Sequence, residues 1–199
     1  MTSREELTQR ASELVPLLRE RSELAEQQRG PLTQSIQDLQ AAELIRMAQP
    51  KRFGGLGLDF DSTFDIAVEL GQGCASTAWC YSIWSSHNWI MGMFPEHAQQ
   101  DYWAKSPDTL SSSSFNPAGG MISTTKGGYQ VSGRWDFSSG CDPATWVMLI
   151  GNGPEGPLML LLPRQDYTID DTWFVSGLRG SGSKDIVVES AFVPEYRTV

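Results

Sequence analysis

The sequence predicts an α+β protein with segregated parts, an all-helical N-terminal domain over residues 1–108 followed by a small antiparallel β-barrel-like domain over residues 109–199. Three observations predict it. Apolar residues recur at helical spacing through the first half of the chain. Beyond Leu110 the pattern changes to short β-type runs bounded by Ser, Gly and Pro. No stretch alternates strand with helix as a βαβ unit would. The break falls between Lys105 and Leu110.

Leu7, Ala11, Leu14, Leu18 and Ala25 lie near helical spacing among Glu and Arg, which marks an amphipathic helix from Arg4 to Gln28 that Pro16 kinks or restarts. A second helix is expected from about Thr33 to Ala48, with Ile36, Leu39 and Met47 inward and Pro50 closing it. Phe53-Gly54-Gly55-Leu56-Gly57 is too glycine-rich for a helix and supplies a turn. Asp61 or Ser62 then caps a third helix running toward Ala78. A fourth, Trp79 to Met93, is apolar and aromatic almost all round and is expected to be buried. Pro95 opens one more helix, Glu96 to Trp103. Strands are expected at Ser111–Phe115, Tyr129–Gly133, Trp146–Ile150, Leu158–Leu162 and Ile186–Val193.

Composition narrows the function. A chain of 199 residues with 40% hydrophobic and 20% charged residues is an ordinary globular protein that builds a real core. Its 15 basic against 24 acidic residues give a net charge of -9, which repels phosphate backbones and anionic membranes, so no nucleic acid and no membrane is expected as a partner. The charged N-terminus lacks the apolar stretch of a secretory signal, and Cys74, Cys80 and Cys141 form no CxxC pair; reduced thiols in the cytoplasm are expected. Two His and no HExxH leave little from which to build a metal site, and none is expected.

Three local motifs in a fixed order carry a family resemblance over nearly the whole chain. Pro50-Lys51-Arg52-Phe53-Gly54-Gly55-Leu56-Gly57 resembles the P-x-x-x-G-G-x-G turn of the acyl-CoA dehydrogenase superfamily. Gly128 to Gly140, containing Trp135-Asp136-Phe137-Ser138-Ser139, is similar to its flavin-contacting strand motif. Gly177-Leu178-Arg179-Gly180-Ser181-Gly182-Ser183, running into Phe192-Val193-Pro194, resembles its last β-domain segment. The resemblance implies the first two of that superfamily's three domains, without the C-terminal helical bundle. Ser111 to Ser114 and the turn after it resemble the other flavin-binding strand. Here the chain departs from the family, with Phe-Asn-Pro and Gly-Gly-Met where dehydrogenases carry Thr-Glu-Pro and Gly-Ser-Asp.

The closest branch in this resemblance is the two-component flavin-dependent aromatic monooxygenases. It implies a hydroxylase that takes reduced FMN (or FAD) from a flavin reductase and uses O2 to hydroxylate a small aromatic substrate, as a homo-oligomer. Phe137 takes the place of the aromatic residue packed on the flavin ring, and Ser139 that of the hydroxyl residue bonded to the ring's edge. Ser138, Ser113 and Ser114 complete the cofactor set, with Ser114 also facing substrate. His87, from the buried helix, positions substrate together with Trp84 and acts with Ser139 as catalytic residue, and the neighbourhood of Trp84 and Trp89 excludes water. Read from pattern alone, Phe137 and Ser139 are alternate faces of a strand, His87 is a satisfied core residue and His97 a helix-surface residue.

Two other functions fit the same motifs. An acyl-CoA dehydrogenase would need a carboxylate base, which the family places in the C-terminal helical domain. A truncated, non-catalytic fragment would fold or bind partners without turnover. The Gly177 to Gly182 loop offers backbone donors for an anion, but no helical pattern follows it, so it reads as a tight connection between strands.

Overall fold

The computed structural model describes residues 2–199, and the helices come first. Helix α1 spans Arg4–Gln28, opened by a capping box in which the Ser3 hydroxyl accepts from the Glu6 N–H and the Glu6 carboxylate accepts from the Ser3 N–H. It buries Leu7, Ala11, Leu18 and Ala25. Pro16 does not end it. The residue lies on the exposed face, where the carbonyl left without an intrahelical donor meets water.

Helix α2 covers only Thr33–Ala41, shorter than the expected run to Ala48. Glu43 takes a left-handed φ of 61°, which no helix accommodates, and Arg10 of α1 holds the bend by donating to the Ala42 carbonyl and the Glu43 carboxylate. The turns that follow still bury Leu44, Ile45 and Met47. Helix α3 is Ser62–Gly71 and α4 is Ala75–Met91, so the break falls ahead of Ala78. Gly73 sets it. A Cβ there would stand 2.6 Å from the Val15 carbonyl oxygen, and only glycine lets the chain pass α1 that closely. Helix α5 is Glu96–Trp103.

Helix α4 departs from the all-round burial expected of it. Cys80, Tyr81, Trp84, Ser85, His87, Asn88 and Met91 are buried, whereas Trp79 and Trp89 are exposed. Trp89 stacks on Phe60, with ring centroids 4.7 Å apart.

Among the described residues seven strands form one curled sheet: β1 (Ser111–Ser114), β2 (Gly120–Thr125), β3 (Gly128–Ser138), β4 (Trp146–Gly153), β5 (Gly156–Pro163), β6 (Thr168–Asp170) and β7 (Lys184–Pro194). The expected strands are all present, and β2 and β6 are additional. The sheet is mixed rather than wholly antiparallel. β1 runs parallel to β4, and β2 takes over that edge of β4 at the Met121–Asn152 pair. β5 pairs antiparallel with β4, and β2, β3, β7 and β6 follow one another antiparallel.

One apolar cluster fills the helices and another lies within the sheet around Trp135, Leu149 and Ile186. A third, with Met91, Phe94, Ala98 and Tyr102 against Met148 and Leu161, joins α4 and α5 to β4 and β5. Burying each such large apolar side chain contributes roughly 1.5–3 kcal/mol, so the two parts are packed and not merely tethered. Among the described residues no helix is long and apolar enough to cross a membrane.

Candidate functional site

The site is built where the end of β3 meets α4. β3 shifts register against β7 between Trp135 and Ser138, and within that bulge Phe137 adopts φ 62°. A non-glycine residue in this region costs about 1–2 kcal/mol, and the effect is to turn the ring out of the sheet. Phe137 is 67% exposed and meets Trp173 edge to face at 6.0 Å. Ser138 points the other way. Its hydroxyl is buried and has no partner among the described residues.

Beside Phe137 lies a cleft of about 290 Å³ lined by Trp79 and Ile83 of α4, Ser113 and Ser114 of β1, Phe115 and Asn116, and Asp136, Phe137 and Ser139. The Ser114 hydroxyl donates to the Asp136 carbonyl at 2.7 Å, tying β1 to the bulge. Ser139 accepts from the Trp79 indole N–H at 2.9 Å and lies 2.7 Å from the Ser183 hydroxyl. The fold therefore brings Phe137, Ser139, Ser113 and Ser114 together. A larger cavity of about 490 Å³ lies between α2, α5 and the sheet, lined by Asp101, Asp108 and Arg164 among others, and shares none of these residues.

His87 and Trp84 sit behind the cleft rather than in its wall. Trp84 is buried with its indole N–H on the Gly140 carbonyl, and Gly140, at φ 64°, lies so close that a Cβ would meet the indole at 2.8 Å. His87 is buried, its Nδ1 2.7 Å from the Ser111 carbonyl oxygen, and its ring is 6.0 Å from that of Phe115. Because a carbonyl only accepts, Nδ1 carries the proton and the other ring nitrogen is left with a lone pair. Desolvation pushes the imidazole down to about 4, outweighing the Ser111 hydrogen bond, so it is neutral at physiological pH. Trp89 is remote from the cleft, stacked on Phe60. His97 is exposed and stacks on Tyr196.

Sequence reasoning missed Trp79, Trp173, Ser181 and Ser183. The last two form a chain of hydroxyls with Ser139, with the Ser183 oxygen 2.7 Å from that of Ser181, which in turn donates to the Leu178 carbonyl at 2.8 Å. The Gly-Ser-Gly-Ser run from Gly180 was the available signal. The backbone donors of this loop do hold an anion, supplied by the protein itself: the Glu26 carboxylate accepts from the N–H groups of Arg179 and Gly180.

An exposed aromatic ring set against hydroxyls suits a planar, largely apolar ligand with polar edges. The chain belongs to the acyl-CoA dehydrogenase family: the model of that family's N-terminal domain matches residues 4–106. It is 40% identical over 197 residues to the oxygenase subunit HsaA of a flavin-dependent monooxygenase from Rhodococcus jostii, covering 96% of this chain and 51% of the relative. It is 36% identical over 199 residues to the oxygenase component of an FADH2-dependent resorcinol hydroxylase from Rhizobium sp., covering 97% and 48%. The crystal structure of the HsaA monooxygenase from M. tuberculosis superposes with a TM-score of 0.95 at 35% identity, covering 99% of this chain and 53% of that one. The chain thus spans about half the length of the curated relatives it matches.

Proposed function

We propose that this chain forms the cofactor- and substrate-facing front part of a cytoplasmic oxygenase component, which takes reduced flavin, FADH2 or FMNH2, from a separate reductase and uses O2 to hydroxylate a small aromatic substrate. Residues 1–108 and 109–199 are its helical and β domains. One observation carries the reading. The residues that the resemblance places against flavin, Phe137, Ser139, Ser113 and Ser114, come from separate segments and line one cleft.

The residues fit the flavin. Phe137, with Trp173 against it, would wall the ring and Ser139 would bond its edge, whereas Ser138, buried on the opposite face of the strand, would not reach it. Reduced flavin supplies the electrons that activate O2 when bound. The protein's part is positioning and exclusion of water. His87, neutral and behind the wall, would act on substrate indirectly, by holding Ser111 of β1 and backing the Phe115 ring, and Ser114 would fix the substrate beside the bulge. Trp84, beneath Gly140, supports the site from below.

The test is anaerobic titration of the chain with photoreduced FMN and FAD, followed by mixing with oxygenated buffer and a panel of phenols, scoring hydroxylated product per flavin oxidised. Coupled product that falls at least tenfold in both His87→Ala and Ser139→Ala is the expected result. Unchanged yield in both variants would overturn these roles.

A further inference from the structure

Three serine hydroxyls and one indole form a continuous chain from the cleft to the Leu178 carbonyl. The short contacts are Trp79 Nε1 to Ser139 Oγ at 2.9 Å, Ser139 Oγ to Ser183 Oγ at 2.7 Å, Ser183 Oγ to Ser181 Oγ at 2.7 Å and Ser181 Oγ to the Leu178 oxygen at 2.8 Å. Ser139, Ser181 and Ser183 are all buried. Counting hydrogens fixes the direction. The Leu178 carbonyl only accepts, so the Ser181 hydrogen points at it. The contact between Ser181 and Ser183 must then hold the Ser183 hydrogen, and that between Ser183 and Ser139 the Ser139 hydrogen. Any other assignment leaves two buried oxygens at 2.7–2.8 Å with no hydrogen between them.

Trp79 adds the opposite constraint. An indole N–H only donates, so it occupies one lone pair of Ser139. With its hydrogen committed to Ser183, Ser139 has one lone pair left for the cleft and nothing to donate.

We propose that Trp79, Ser183 and Ser181 are positioning residues that lock Ser139 as a hydrogen-bond acceptor, so that the site selects reduced over oxidised flavin. The inference rests on the flavin reading above. Reduced flavin carries an N–H on the edge of its central ring, where the oxidised form carries a bare nitrogen lone pair. A hydroxyl free to turn serves either form. One locked as acceptor serves the N–H and opposes the lone pair, which would favour capture of flavin already reduced elsewhere and release of the spent form.

Dissociation constants for FAD and FADH2 measured anaerobically on the 199-residue chain test this. FADH2 is expected to bind about tenfold or more tighter than FAD, the factor supplied by one neutral hydrogen bond. Ser183→Ala and Ser181→Ala each release the Ser139 hydrogen toward the cleft. Both are expected to tighten FAD severalfold with little change for FADH2, lowering the bound midpoint potential by about 30 mV per tenfold change in the ratio. Ser183→Thr keeps the hydroxyl and keeps the ratio, whereas Ser139→Ala weakens FADH2 instead. A merely structural role would weaken both forms together. If both alanine variants leave the ratio unchanged while flavin still binds, the lock is wrong and the flavin reading survives. If the wild-type chain binds neither form, both fall.

Discussion

Glu26, near the end of α1, caps the backbone of Gly180 in the loop before β7, with its carboxylate oxygen 3.1 Å from the Gly180 N–H. The same carboxylate accepts from the Arg179 N–H and the Ser76 hydroxyl, so one side chain ties α1, α4 and the loop that carries Ser181 and Ser183. Partial burial pushes its carboxyl upward, but the hydrogen bonds from Ser76, Gly180 and Arg179 together hold it below the ordinary carboxylate range. A depressed folded-state value contributes stability above the unfolded value and loses it as pH falls through the folded one. Glu26→Gln is therefore expected to cost about 1–2 kcal/mol at neutral pH and to flatten the loss of stability below pH about 4.5, measured by urea unfolding across pH.

His87 shifts stability with pH in the same direction, over a higher window. Its folded-state value of about 4 lies below the unfolded value near 6.5, so between them the unfolded chain binds the extra proton. Stability is full above about pH 6.5 and falls as pH drops toward 4. The contribution lost by pH 5 is on the order of 2 kcal/mol. His87→Asn, which keeps a donor for the Ser111 carbonyl, is expected to remove that slope. Wild-type NMR should show a His87 ring that does not titrate between pH 5 and 8, and a midpoint above 6 would contradict the burial that sets its role.

How far these features are legible in the sequence depends on whether their cause is local. The bounds of α1 follow from the Ser3–Glu6 capping box and the spacing of Leu7, Ala11 and Leu18, all written within the helix. The end of α2 does not, because Glu43 is held in its left-handed turn by Arg10 on another element. The gap between α3 and α4 is set by the approach of Gly73 to Val15, a tertiary fact. β2 and β6 are short and largely exposed, so no apolar run announces them. At the site, the flavin motif singled out Phe137 and Ser139, but the bulge that turns Phe137 outward depends on pairing with β7, and the Trp79–Ser139 contact joins residues 60 positions apart.

Phe137 gives a test that separates strain from function. Its left-handed backbone suits glycine, and the ring is mostly exposed, so little apolar burial is lost on removing it. Phe137→Gly is expected to be more stable than Phe137→Ala by about 1 kcal/mol in chemical unfolding, since alanine retains the strain. Both variants are expected to lose flavin affinity alike, about tenfold or more, because both lose the wall. Alanine as the more stable variant would show that the bulge is not strained.

Phe64 and Val68 lie one turn apart on α3, 60% and 68% exposed, and Phe60 packs between Phe64 and the exposed Trp89. A run of apolar groups left in water favours association of the chain with itself. Sedimentation velocity is therefore expected to show mass rising with concentration, and Phe64→Lys with Val68→Lys to shift the chain toward monomer. Neither position touches the cleft or the core, so each change should alter unfolding stability by no more than about 0.5 kcal/mol. Association that persists in the double variant would move the contact to another face, with the exposed Met121 and Phe192 of β2 and β7 the next positions to charge.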